Sequence, residues 1–386
     1  MNLVSPFGFA LPTRIEYGTG AVEKLADELA RIDARRVMLI TDVRLASSGL
    51  LARFTTYLAS KRIAYDIFAR VEANPKDYNV EEGAKKALSD KPDCLVAIGG
   101  GSPIDCAKAI GVVAASGGRA RDFEGYGKVS GKVLPLIAIP TTAGSGSEVT
   151  FSAVITDSTQ RIKFSIKDSS IAPRVALVDP EMTFSMPAAL TAATGMDALT
   201  HAIEAFSARA AEPLSDALAL YAIELISTHL RAAVADGRSL EARSGMLLGS
   251  LLAAVAFSHS DVAAVHCISE ALGGKYDLPH GVCNAVVLPA VMEYNLDYCV
   301  DRYARIALAM GLRTDGAENL ARQAVAEVKK LATDIHLPDF RDLGVQEADI
   351  EELARCSAAN GSNPANPRPM TDEDYRNVLL RLSGAA

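Results

Sequence analysis

The chain reads as an α/β unit with a parallel sheet followed by an all-helical unit. Three observations carry this. Short β-rich apolar runs alternate with helical stretches through the first half. Beyond Asp179-Pro180 the strand-like runs stop, and alanine- and leucine-rich segments take over at 213–235, 241–256, 301–312 and 316–333. A length of 386 residues exceeds what one core usually organises, so a division into 1–180 and 181–386 is expected. Alternating strands and helices imply parallel strands joined by crossover helices, and alanine is the strongest helix former.

In chain order, Gly20 to Arg31 is predicted helical. Arg36–Asp42 reads as a strand ending in a turn and Ala64–Phe68 as a second strand. A helix over Val80–Leu88 leads to a third strand, which opens the run Cys94–Gly101. That run is almost continuously apolar, the mark of a strand buried on both faces. Ser102–Ala115 is predicted helical and Leu134–Pro140 is a fourth strand.

Composition excludes several classes. Apolar residues make up 49% and charged residues 22%, the balance of a globular domain. The net charge of −8 and a pI near 5.4 argue against a nucleic-acid or anionic-membrane partner. The amino-terminal stretch lacks the basic region and apolar core of a signal peptide. No uninterrupted apolar run approaches the ~18 residues of a membrane span. Cys94, Cys106, Cys267, Cys283, Cys299 and Cys356 form no C-x-x-C pair, which suits reduced thiols in the cytoplasm.

Two sets of residues carry candidate chemistry. Asp197 and His201 stand four apart in a segment free of proline, so a helix would place both on one face. His266 and His280 follow in a second segment. One carboxylate and three imidazoles suit Fe(II), Zn(II), Ni(II) or Co(II) better than Mg or Ca. The second set is glycine-rich. Gly99-Gly100-Gly101-Ser102-Pro103-Ile104-Asp105 follows a strand and opens a helix, where free N–H groups can hold a pyrophosphate. Ser102 and Asp105 also fit a helix-capping box with Pro103 at the first helical position. Pro140–Glu148, rich in hydroxyls and glycine, follows another strand. Asp42 can hold ribose hydroxyls and repel a 2′-phosphate, or be a solvated turn aspartate. It precedes the glycine loop, unlike the acid of the usual G-x-G-x-x-G fingerprint.

Taken together, Gly99–Lys108 (GGGSPIDCAK), Pro140–Thr150 (PTTAGSGSEVT), Gly195–Ala205 (GMDALTHAIEA) and Pro279–Pro289 (PHGVCNAVVLP) resemble the iron-dependent (group III) alcohol dehydrogenase family. The resemblance runs over nearly the whole chain. It implies the dehydroquinate synthase-like architecture, an α/β dinucleotide-binding domain and a helical metal- and substrate-binding domain with the metal in the cleft, and a homodimer or larger assembly. It implies an NAD(H)-dependent oxidoreductase acting on a small primary alcohol or aldehyde. By motif position Asp197, His201, His266 and His280 become metal ligands. Gly100, Gly101, Ser102 and Asp105 become the pyrophosphate loop, and Thr141, Thr142, Ser145 and Lys163 the nicotinamide-side contacts. Asp42 matches the carboxylate of members that prefer NAD, and Phe257 an aromatic wall of the substrate pocket.

Three departures stand out. Glu270 occupies a position where members carry a histidine. The segment before His266 reads Ala256-Phe257-Ser258-His259-Ser260-Asp261-Val262-Ala263 instead of A-F-x-N-x-x-L-G. The terminal C-x-x-x-N-P-R is expanded between Cys356 and Asn366-Pro367-Arg368. Glu270, one helical turn after His266, could orient that ligand, relay a proton, become a fifth metal ligand, or turn away to pair with Lys275 or an arginine outside the pocket. His259 and Asp261 could be a pocket pair or a solvated helix boundary. Glycerol dehydrogenase-like and dehydroquinate synthase-like enzymes share the architecture with one acid and two histidines, so His201 favours the alcohol dehydrogenase reading. A non-catalytic NAD-binding assembly protein would not need this ligand spacing.

Overall fold

A computed structural model describes residues 6–385. The described chain forms two compact units. Residues 11–142 and 146–184 make one; residues 6–10, 143–145 and 185 onward make the other.

The first unit is built on nine strands: β1 Arg14–Tyr17, β2 Arg36–Asp42, β3 Ala64–Val71, β4 Cys94–Gly99, β5 Gly125–Tyr126, β6 Leu136–Pro140, β7 Ser152–Asp157, β8 Ile162–Lys167 and β9 Val175–Val178. Six form a wholly parallel sheet in the order β1-β9-β6-β4-β2-β3. Five helices belong to this unit: α1 Leu25–Arg31, α2 Val43–Ser47, α3 Leu50–Ser60, α4 Asp77–Asp90 and α5 Gly101–Ser116. Side-chain alternation divides the core between two faces. Val37, Leu39, Val96 and Ile137 pack with Leu25 of α1 and Phe54 of α3. Met38, Ile40, Leu95 and Ala138 pack with Val80 of α4 and Ile110 of α5. Every residue of β4, β6 and β9 is buried, as the unbroken apolar runs require. β7 and β8 form an antiparallel hairpin that the sequence reading did not identify, and β5 adds a short parallel edge to it.

The second unit is helical. Its helices are α6 Ala188–Ser207, α7 Pro213–Ala235, α8 Leu240–Ser260, α9 Ala264–Tyr276 and α10 His280–Asn295, then α11 Val300–Ala309, α12 Ala317–Asp334, α13 Ile350–Ala358 and α14 Asp372–Ser383. α7 and α8 are long and apolar enough to cross a membrane by length and composition alone. Here they pack on each other and on α6. α6, almost wholly buried, is the axis of the unit and carries two candidate ligands.

Candidate active site

The helical unit gathers Asp197, His201, His266 and His280 so that one ligand atom from each lies within 4.8 Å of the others. Asp197 and His201 share a face of α6. His266 comes from the first turn of α9, and His280 is the first residue of α10. The approach of α10 to α6 depends on Gly281: a Cβ there would stand 2.6 Å from the Ala193 carbonyl oxygen. Three of the four side chains are buried and His280 is half-buried. Their rings are layered, His201 on His266 at 4.6 Å and His266 beside His280 at 5.3 Å between centroids. Phe257 of α8 stacks on His201 at 4.5 Å.

Two groups that the sequence reading missed complete the cluster. Glu204, three residues after His201, accepts the His266 Nδ1 proton at 2.5 Å and the N–H groups of Ala263 and Val265 at 2.9 and 2.7 Å. With Nδ1 committed, Nε2 of His266 turns toward the cluster. Asn284, one turn after His280, donates from Nδ2 to Asp197 at 2.6 Å. Both spacings were present in the sequence as i+3 and i+4 partners of ligand histidines.

Burial drives the His201 pKa down to about 4 against the pull of Asp197, so its imidazole is neutral at neutral pH with a lone pair to give. Its Nδ1 is buried with no hydrogen-bond partner among the described residues. Burial also disfavours charge on His266, but Glu204, with Asp197 and Glu270 beyond it, outweighs burial and raises that pKa. An unpartnered imidazole nitrogen and a mixed N/O donor set converging on one point fit a divalent transition metal.

Glu270 of α9 does not pair with Lys275, which is held by Asp349 and Glu352. Its Oε2 instead accepts from Asn360 Nδ2 at 2.6 Å. Asn360 lies in the expanded carboxyl-terminal segment, and Ser362 of the same segment donates to Asp261 at 3.0 Å. The three departures from the family pattern therefore touch one another. His259, offered by the sequence as half of a pocket pair with Asp261 or as part of a solvated helix boundary, instead anchors backbone at the end of α8. Its Nδ1 bonds the Val255 carbonyl at 2.8 Å, its Nε2 meets the Ala10 N–H at 3.1 Å, and its ring stacks on Phe9 at 3.9 Å. Both nitrogens are occupied by backbone, which takes the ring out of proton transfer. Asp261, with φ 68°, is committed to the α8–α9 turn through Val262 N–H and Ser362.

In the α/β unit the carboxyl ends of β2, β4 and β6 are adjacent, since β4 pairs with both neighbours. Ligands of doubly wound sheets sit at such ends. Asp42 closes β2, Gly99–Gly101 lead from β4 into α5, and Thr141 follows β6 with its N–H on the Gly99 carbonyl at 2.9 Å. Gly99 takes φ +156°, and a Cβ there would strike Pro103 at 2.5 Å. α5 starts at Gly101 with Gly100 as its N-cap. It has no side-chain cap and no acid in its first turn, so neither offsets the partial positive charge of its first N–H groups. The expected capping box is absent, because the helix begins before Ser102 and Asp105 is engaged elsewhere. A Cβ on Gly100 would lie 3.0 Å from Thr142 Oγ1, so only glycine leaves that cradle open.

Asp105 accepts from Ser147 Oγ and, at 3.0 Å, from Val154 N–H. Fully buried Lys108 donates to Ser147, Thr150 and the Ser152 carbonyl at 2.9, 2.9 and 2.7 Å. Asp105 thus shapes the loop from inside. Burial lowers the Lys108 pKa to about 8 and raises that of neighbouring Glu148 to about 7. Asp42 Oδ1 accepts from Leu45 N–H at 2.8 Å, making Asp42 the N-cap of α2. Lys163 Nζ donates to Asn74 Oδ1 at 2.9 Å. Ser145 clusters with the helical unit.

A parallel α/β unit with a phosphate-ready helix start, joined to a helical unit with an N/O metal cluster, defines a nucleotide- and metal-dependent oxidoreductase architecture. Comparison with known proteins gives the particular group. Residues 12–180 match the iron-containing alcohol dehydrogenase family and residues 191–382 its C-terminal domain. The chain belongs to the iron-containing alcohol dehydrogenase family. It is 40% identical to the NAD-dependent methanol dehydrogenase of Bacillus methanolicus over 374 residues, covering 96% of this chain and 98% of that one. It is 39% identical to the 1,3-propanediol dehydrogenase of Klebsiella pneumoniae over 378 residues, covering 97% and 98%. A crystal structure of 1,3-propanediol oxidoreductase superposes with a TM-score of 0.95 at 38% identity, covering 98% of this chain and all of that one.

Proposed function

We propose that the chain interconverts a small primary alcohol and its aldehyde with NAD(H), at a divalent metal held by Asp197, His201, His266 and His280. The convergence of these four ligand atoms within 4.8 Å carries the reading. Iron(II) is the first choice, with zinc(II) and nickel(II) as other fits to the donor set. The cation supplies Lewis acidity toward the reacting oxygen and the nicotinamide supplies the hydride carrier. Oxidation then yields aldehyde, NADH and one proton.

The chain's own residues do the rest. Glu204 orients His266, and Phe257 covers His201 on an apolar side. Gly100, Gly101 and Ser102 at the uncapped start of α5 bind the pyrophosphate, with Thr141 and Thr142 beside them, and Ser145 is kept as a contact of the nicotinamide side. Asp105 and Lys108 hold that loop in shape. Asp42 receives the adenosine ribose with the oxygen not used to cap α2 and turns away a 2′-phosphate by repulsion. Lys163 is offered to the nicotinamide-side ribose.

Glu270 and Asn360 form the polar wall of the substrate site. Among the described residues Glu270 Oε1 has no hydrogen bond, which leaves a carboxylate oxygen for a substrate hydroxyl or cationic group. The substrate we favour is therefore an alcohol with a second polar function. Six free cysteines, five of them buried, support a reducing cytoplasmic setting, and a homodimer or larger assembly is the form we expect.

The test is NADH oxidation by a panel of small aldehydes, with chelator and with added Fe(II), Zn(II) or Ni(II). Activity should vanish with chelator and return with metal. His280→Ala should lose metal by elemental analysis while keeping its helical circular dichroism. Full turnover in a metal-free preparation would overturn the reading.

A further inference from the structure

Asn284 has an arrangement that ordinary packing does not explain. It is fully buried on α10. Its single amide nitrogen lies 2.6 Å from Asp197 Oδ1, 3.1 Å from His266 Nε2 and 3.2 Å from His280 Nε2. An amide has two protons to give, and here three acceptors compete for them. Its oxygen has the opposite problem: Oδ1 is buried with no hydrogen-bond partner among the described residues. A buried side chain with too many acceptors on one atom and none of its needs met on the other is costly to keep. Three of its neighbours are the candidate metal ligands, met through the atoms that a cation would use.

We infer that Asn284 pre-assembles the metal centre. In the metal-free chain its N–H2 group, the positive end of the amide dipole, stands among Asp197, His266 and His280 and holds them together. The bond to the Asp197 carboxylate is the strong one, because its acceptor is charged. The same imidazole lone pairs cannot serve an amide proton and a cation at once. Loading therefore breaks the bonds from Asn284 to His266 and His280, and the cation takes over the task of holding the ligands. Asn284 therefore contributes more to the empty site than to the filled one, where its bond to Asp197 alone would remain. This rests on the metal reading of the four ligands above.

That division of labour has a signature no packing role shares. Thermal unfolding is followed for chelated and Zn(II)-saturated protein, in wild type and in Asn284→Leu, which keeps the volume and removes the amide. The chelated variant should melt lower than chelated wild type by roughly 4 °C or more. The two Zn(II)-saturated proteins should differ by no more than about half as much, so the metal-induced shift widens in the variant. Asn284→Ala removes the amide without adding a charge; it should show the same widening and covers the case in which leucine does not fold. Equal losses in both forms, or no loss in either, overturn the inference. A wild type whose melting is unchanged by metal instead overturns the metal reading beneath it.

Discussion

Glu204 and His266 lie 62 positions apart yet share a 2.5 Å hydrogen bond. Glu204 follows Asp197 and His201 on α6 at positions i+7 and i+3, so one helical face supplies two candidate ligands and the group that aims a third. The same carboxylate binds the N–H groups of Ala263 and Val265, which fixes the start of α9. Glu204→Gln keeps the size and removes the charge. Metal affinity should fall roughly 10- to 100-fold, as for lost partners of ligand histidines, while helical content stays. Chelator competition measures it, and unchanged affinity would assign Glu204 to the turn alone.

Asp42 caps α2 in addition to the ribose contact proposed for it, so a glycine substitution would confuse the two. Asp42→Ser retains a capping oxygen and discards the charge. The preference for NAD over NADP in kcat/KM should drop about tenfold or more, equivalent to ~1.4 kcal/mol, with melting temperature nearly unchanged. Equal use of both cofactors by the wild-type enzyme would remove the basis for this assignment.

Glu148 makes a pH prediction. Burial raises its pKa from 4.5 to about 7 in the folded chain. Across that window the folded state keeps a proton that the unfolded chain has released, so stability falls as pH rises from 4.5 to about 7. Lys108, at about 8, stays charged throughout. Glu148→Gln cannot titrate. In urea unfolding the wild type should lose stability relative to this variant between about pH 5 and pH 7.5, on the order of 3 kcal/mol at most. Parallel curves for the two proteins would mean that Glu148 stays ionised inside the fold.

The Glu270–Asn360 pair predicts substrate ranking. Glu270→Gln should lower kcat/KM for a cationic amino-alcohol or a diol by about tenfold relative to a simple alcohol of equal length. Metal content should not change. If Glu270 also moves the proton, turnover on every alcohol falls by ~10²-fold. A variant with wild-type ranking and turnover leaves Glu270 as a surface partner of Asn360 only.

What was legible in the sequence follows the range of the forces involved. β2, β4 and β6 announce themselves because both faces are buried and the apolar runs are unbroken. Asp197 and His201 announce themselves through helical spacing. β1 is a half-exposed edge of four residues, Arg14–Tyr17, and carries no such run. The β7–β8 hairpin is masked by polar positions, of which Thr156 and Asp157 are buried only through tertiary contacts. Asp105 looked like a cap because its real partners, Ser147 and Val154, are 42 and 49 residues away. His259 looked like pocket chemistry because nothing local reveals that Phe9 and Ala10 return to it.

That last contact changes how the two units are read along the chain. Residues 6–10 cluster with a helical unit whose main segment begins only at Ser185, so the α/β unit is an insertion within the helical one. The Ala10–His259 closure spans 249 positions, and a loop of that length is slow to close. During synthesis the strap of residues 6–10 is made well before α8 and has nothing to grip until α8 follows. A protease cut just after Ala10, which would release Phe9 and Ala10, should therefore be felt in the melting of the helices and not in the sheet that follows it in sequence.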